Sequence, residues 1–296
     1  MSSEHLASAK DHLKGDLGGS WNILDGASGQ YFAPQLARRF GVAEAAFSLR
    51  DIGANGTRVV EVRRDNDDVA EDFSAEQITN GTLAAFVGSG NNGFVAKWYD
   101  QSGNGNHAEQ ATTGKQPKIV DSSSGYLGHI RFPGGDELDI TNVLMDGANA
   151  VFYLVGEADL SGTQRAFFST RGTLGGGLNL LYTATENPKS GFVGVGNKES
   201  TNITVASSVK VMVFEKAGTS MNQYINNVTG NDNGVLGTYS SPSGTTRSRI
   251  GSQAHSSGSD TLIADIKEMV IYNSDIASDR STIQSELAAH YGITLS

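Results

Sequence analysis

The sequence predicts an all-β sandwich that carries a few short helices and a longer C-terminal helix. Three observations support that reading. From residue 117 onward, short apolar runs recur at intervals of about 8 to 15 residues, with Gly, Asn and Ser between them. The 296 residues include 37 glycines and only 5 prolines, so turns are many and short. Near the end, Ala277 to Tyr291 brings Ile283, Leu287 and His290 or Tyr291 onto one helical face, with Ser278 as the candidate cap.

Taken in order, residues 1–30 read as an N-terminal arm and residues 31–296 as the sandwich domain. Ser2 or Ser3 can cap a short helix through Lys14, which Gly15, Gly18 and Gly19 end. A second short helix is expected over Pro34 to Phe40. Ala45 to Leu49 and Thr57 to Arg63 read as strands, joined through Asn55-Gly56 as a hairpin. Arg64 to Asp68 is a charged turn, and Ser74 opens one or two helical turns over Glu76 to Val87. Further strands are expected at Pro117 to Val120, His129 to Phe132, Ala150 to Glu157, Ala166 to Ser169 and Leu178 to Thr183. Gly191 to Val195 and Lys210 to Phe214 follow, then Ser248 to Gly251 and Leu262 to Tyr272. A hairpin turn is expected at Asn226-Asn227.

Composition excludes several classes of function. A formal charge of −10 argues against a nucleic-acid backbone as partner, which requires a basic stripe. The absence of cysteine removes disulfides and thiolate chemistry. No run approaches the roughly 18 apolar residues of a membrane-spanning helix, so no membrane partner is expected. Met1 to Gly19 shows no apolar core behind a basic start, so the expectation is release by lysis rather than signal-directed export.

One stretch stands apart. After the apolar run Phe94 to Ala96, Trp98-Tyr99-Asp100-Gln101-Ser102-Gly103-Asn104-Gly105-Asn106-His107-Ala108 packs many short hydrogen-bonding side chains around two glycines. It reads either as a structural corner that satisfies buried backbone groups or as a sugar or metal site. Trp98 and Tyr99 offer planar aromatic surfaces, and Asp100, Gln101, Asn104, Asn106 and His107 offer hydrogen bonds that match sugar hydroxyls. The two aromatics could equally be core. Metal readings are thinner. Asp65, Asp67 and Asp68 could offer oxygens to calcium, but the Gly and distal Glu of an EF-hand loop are missing, so a solvated turn is the competing reading and no cofactor is expected. The six histidines show no paired metal-binding spacing.

The same stretch, with Gln110 and Gln116-Pro117-Lys118-Ile119-Val120 behind it, resembles a segment of the catalytic domain of fungal-type α-L-arabinofuranosidase B. Ala46-Phe47-Ser48-Leu49-Arg50 and Val62-Arg63-Arg64-Asp65-Asn66-Asp67-Asp68 are similar to further segments of that family. The set also resembles structural proteins encoded by marine bacteriophages. Together the similarity spans about residues 35 to 132, with a weaker echo from about 248 to 292. It implies a concanavalin A-like jelly-roll β-sandwich.

Its implications for chemistry divide. By the resemblance, Glu186 in Thr185-Glu186-Asn187 stands where the family has its nucleophile, and it reads equally as a solvated turn carboxylate. The family's acid/base aspartate is matched by Gln253 in Ile250-Gly251-Ser252-Gln253, and glutamine cannot donate and recover a proton near neutral pH. Asp260 or Asp265 could substitute only in a remodelled loop. The expectation is therefore a non-enzymatic structural protein on a bacteriophage virion surface, a head decoration, fibre or tail appendage. Its arm would dock on other virion proteins, its copies would form a homo-oligomer, and its sandwich would offer a surface to glycans. The alternative is an arabinofuranosidase-like glycoside hydrolase.

Overall fold

The computed structural model describes residues 43–53, 58–158, 165–182, 187–205, 208–244, 246–254 and 261–296. The expected arm, the helix at Pro34 to Phe40, Glu186 and Asp260 lie outside them.

The first strands are β1 (Ala45–Ser48), β2 (Val60–Arg64), β3 (Ala70–Phe73), β4 (Gly93–Trp98) and β5 (Ala108–Glu109). Then come β6 (Lys118–Asp121), β7 (Gly125–Pro133), β8 (Leu138–Ile140), β9 (Asn149–Ala158) and β10 (Arg165–Ser169). The middle strands are β11 (Leu178–Tyr182), β12 (Pro188–Phe192), β13 (Gly196–Glu199), β14 (Lys210–Ala217) and β15 (Ser220–Ile225). The series closes with β16 (Val228–Thr229), β17 (Gly234–Val235), β18 (Ser248–Ile250) and β19 (Ile263–Tyr272). The helices among the described residues are α1 (Ala75–Thr79), α2 (Thr82–Val87) and α3 (Arg280–Tyr291).

All the described strand pairs are antiparallel, and they form two layers. One layer runs β15-β14-β9-β19, with β1 and β7 sharing the far side of β19. The other runs β13-β12-β11-β10-β18-β8-β5. At one edge β7, β6, β4 and β5 carry the hydrogen bonding round from layer to layer. At the opposite edge a buried side chain spans the gap: Gln223 on β15 donates to Ser190 Oγ and Lys198 O, both at 2.8 Å. This is a jelly-roll β-sandwich, with one long helix added outside it.

Phe47, Phe152, Phe168 and Phe214 fill the space between the layers. The other face of the β14-β9-β19 sheet is equally apolar. Val151, Tyr153, Val155, Val211, Val213, Val270 and Tyr272 pack there against Ile283, Leu287 and Ala288 of α3. Burial on both faces explains the near-continuous hydrophobic runs of β9 and β14, which alternating strands do not show. Phe152 and Leu154 thus face the inter-layer core, whereas Val211 and Val213 face the helix.

Several expectations need correction. β1 does not form a hairpin with β2. Its partner is β19, with Ala45 opposite Ile271, while β2 pairs with β3 and β4. β12 starts at Pro188 and stops at Phe192, so Val193 to Val195 form a turn rather than a strand. Ser278 does not cap α3. The helix follows a 3-10 turn over Ala277–Asp279, and Asp279 takes the cap position without a side-chain bond. The capping box at Ser74 is present, with Gln77 N donating to Ser74 Oγ and Ser74 N to Gln77 Oε1. The turn at Asn226-Asn227 has φ of 48° and 71°, as a two-residue hairpin requires.

Lys216 on β14 lies within this architecture. It is 1% exposed, donates to Met145 O at 3.0 Å and stands 3.2 Å from the centroid of the Tyr239 ring. Burial pulls its ammonium down to about 8, against the attraction of Asp146 and Glu44. Unfolded chains hold that proton to higher pH than the fold does, so stability is expected to rise from pH 8 towards 10. Buried tyrosines act in the opposite sense above pH 10, Tyr126 for instance being pushed up to about 12. Urea midpoints at pH 7.5 and 9.5 should rise in the native protein and stay level in Lys216→Met. An equal rise in both would assign the effect to another group.

Candidate functional site

The Trp98 to Ala108 stretch turns out to be tied almost wholly to its own fold. Trp98 is fully buried against Phe47, with ring centroids 5.5 Å apart. Its indole N–H has no partner among the described residues. Asp100 Oδ1 accepts from Ala46 N and Ser102 N, both at 2.9 Å. Its Oδ2 accepts from Ser102 Oγ at 2.8 Å and Asn106 N at 2.9 Å. A carboxylate offers about four lone-pair sites, so this one is saturated. Gln101 reads the β1 edge, donating to Ser48 O and Arg50 O and accepting from Ile52 N at 2.9 Å. Gly53 lies so close to it that a Cβ there would meet Gln101 O at 2.3 Å.

Asn104 and Asn106 both donate to Glu44 O, and Asn106 Oδ1 accepts from Asn142. His107 Nδ1 accepts the Asp100 N–H at 3.1 Å, and burial holds its imidazole below the usual range. Tyr99 is 7% exposed, donates to Asp72 at 2.6 Å and carries Arg58 over its ring at 4.9 Å. Trp98 therefore has no face left for a sugar, and Asp100 has no lone pair left.

The three aspartates of the charged turn do not converge either. Asp65 accepts from Asn92, Asp67 takes both Arg64 donors at 2.8 and 2.7 Å, and Asp68 accepts from Arg63 at 2.6 Å. Among the described residues no group of three or more His, Cys, Asp or Glu is placed to hold a metal. Asp265 is also engaged. Burial alone would raise its carboxyl, but bonds from His129 and Arg131 outweigh that and hold it at about 2.

A concavity of about 450 Å³ lies elsewhere, on the outer face of β11 to β13. Its floor follows the register: Asn179 stands opposite Gly191, and Gly191 opposite Asn197. Gly191 is what keeps the floor low, because a Cβ there would meet Asn197 Oδ1 and Gly196 O at 2.3 Å. Leu181 and Lys189 form the neighbouring row, the Val193 to Gly196 turn forms one wall, and Arg171 and Gln253 form the other. Arg171 NH1 donates to Gln253 Oε1 at 3.0 Å. Asn179 is held by Ser169 Oγ at 2.6 Å, and that hydroxyl also accepts from Ala254 N. Among the described residues the lining offers amides, two cations and some apolar surface, and no carboxylate. Gln253 thus lies in the concavity, which its position after an Ile-Gly turn could have signalled. Arg171 and Asn179 carried no signal in the sequence.

No model of a known protein family matches the chain, and no curated protein matches it. Solved structures do. An arabinofuranosidase complexed with arabinofuranosyl-α-1,2-xylobiose shares 13% identity at a TM-score of 0.57, over 84% of this chain and 62% of that one. A GH54 α-L-arabinofuranosidase soaked with a cyclic sulfate inhibitor gives 14% and 0.56, over 84% and 63%. A glutamate-to-glutamine variant of a GH54 enzyme, soaked with 4-nitrophenyl α-L-arabinofuranoside, gives 15% and 0.56, over 84% and 63%. The chain spans less than two thirds of the length of each. At these identities the likeness is one of fold, a β-sandwich of the arabinofuranosidase type.

Proposed function

We propose that this is a non-catalytic, lectin-like sandwich of a bacteriophage virion surface protein, and that the concavity on β11 to β13 binds a glycan. The single observation that carries the binding is that concavity. Its volume of about 450 Å³ suits one or two sugar units, within the usual 300–1,000 Å³ of small-ligand sites. Its amides pair with hydroxyls as donors and acceptors. Glycoside hydrolysis needs two carboxyl groups flanking the bond, and Gln253 supplies an amide where the resemblance implies the acid/base. Solved relatives of this fold hold arabinofuranosides, which supports a sugar as the ligand. The virion role rests on the resemblance of residues 35–132 to phage structural proteins.

Three measurements test this. A glycan array followed by calorimetry on the full chain should find a saccharide whose binding is lost in Asn179→Ala/Asn197→Ala while the melting temperature is kept. Failure of every saccharide to bind sinks the lectin reading. Turnover of 4-nitrophenyl α-L-arabinofuranoside, abolished by Glu186→Gln, would establish the hydrolase instead. Deleting residues 1–30 should leave a folded sandwich that no longer joins a particle, and unchanged association would remove the docking role of the arm.

A further inference from the structure

We propose that the concavity selects an anionic sugar, one bearing a carboxylate or a sulfate ester, and that Arg171 is the residue that holds its charge. This rests on the glycan-binding reading above. The chain carries a formal charge of −10, yet both charged residues in the lining are cations, Arg171 and Lys189. Lys189 stands opposite Glu199 in the β12–β13 register, so a carboxylate neighbours it in the sheet. Arg171 is different. It is half-buried, and among the described residues it forms no ion pair, its side-chain bond being to the neutral amide of Gln253. Its bond to Gln253 Oε1 uses one of five N–H donors and fixes the plane of the guanidinium at the wall.

A planar fork with donors to spare, set in a concavity, matches a carboxylate or sulfate oxygen pair. Gln253 is central to this. An acid at that position would neutralise Arg171 at 3.0 Å, whereas the neutral amide orients it and leaves its charge available. The side chain that removes the acid/base function is therefore also the one that lets the site take an anion.

Calorimetry on the full chain would use matched probes: an oligogalacturonate against its carboxyl-reduced neutral form, and a sulfated galactan oligosaccharide against its desulfated form. The charged member of at least one pair should bind about tenfold tighter or more, as a charge-assisted hydrogen-bond pair allows. Which pair responds tells carboxylate from sulfate. Arg171→Gln should abolish the preference, and so should Gln253→Glu, with thermal melts confirming that each variant is folded. Lys189→Gln should reduce it less than Arg171→Gln. Equal binding of neutral and charged members, or a preference that survives Arg171→Gln, overturns the inference and leaves glycan binding standing. Absence of binding to every probe overturns the inference, and the glycan array decides separately whether glycan binding stands.

Discussion

Asp100→Ala is expected to bring the protein to the edge of unfolding. The carboxylate accepts the N–H groups of Ala46, Ser102 and Asn106 and the hydroxyl of Ser102, all within 2.9 Å. Alanine leaves these buried donors without their acceptor. An orphaned buried donor costs about 1–3 kcal/mol, so the loss is on the order of 5 kcal/mol against a typical total of about 5–15. Asp100→Asn should cost roughly half as much, because its oxygen keeps one pair of donors while its NH2 opposes the other. Urea denaturation reads both. A change below about 1 kcal/mol in Asp100→Ala would show that the corner does not depend on this carboxylate.

Glu268→Ala is expected to follow closely, at about 3 kcal/mol or more. Glu268 is 1% exposed and joins three elements. Arg50 grips it bidentately at 2.7 and 2.8 Å, Ser48 Oγ donates from β1 at 2.9 Å, and Tyr291 OH donates from α3 at 2.8 Å. Burial raises the Tyr291 phenol, and the neighbouring carboxylate raises it further, so the hydroxyl stays a donor throughout the accessible pH range. Without the carboxylate, α3 loses the Tyr291 tether and keeps its apolar face and the stacking of Arg280 on Tyr224. Hydrogen exchange should therefore quicken over residues 280–291 before the rest of the sandwich responds. Uniform exchange over both sheets would assign Glu268 to global stability alone. Arg50→Met/Glu268→Leu should recover part of the loss, since an apolar pair strands no charge.

What the sequence made legible follows from how local each signal is. Ser74 with Gln77, and Asn226 with Asn227, act within a few residues, and both stand as expected. Strong apolar runs such as those of β9, β14 and β19 were found, although β14 extends to Ala217. β13 was missed because Gly-Asn-Lys-Glu carries no apolar period. The partner of β1 was missed because Asn55-Gly56 promises a hairpin, whereas the true neighbour lies more than two hundred residues away. The two apolar faces could not be told apart, because only α3 makes the second face a core. The concavity was illegible for a related reason. Arg171 and Gln253 are 82 residues apart, and only the layer order brings them together. The polar loop at Asp100 drew attention through its composition, yet that composition serves the backbone of β1.

The position of β19 also dictates a timetable. It runs between β9 and the β1/β7 edge, so the sheet is incomplete until residues 263–272 exist. At about 5–20 residues per second, β1 waits roughly 10 to 45 s on the ribosome for its partner. During that wait the apolar runs of β9 and β14 have no α3 over them, and β9 has no β19 beside it. Chains halted before residue 263 are thus expected to expose these runs and to aggregate faster than the full chain, which light scattering of the two would check. Any fusion or truncation that delays the last thirty residues trades yield for aggregate.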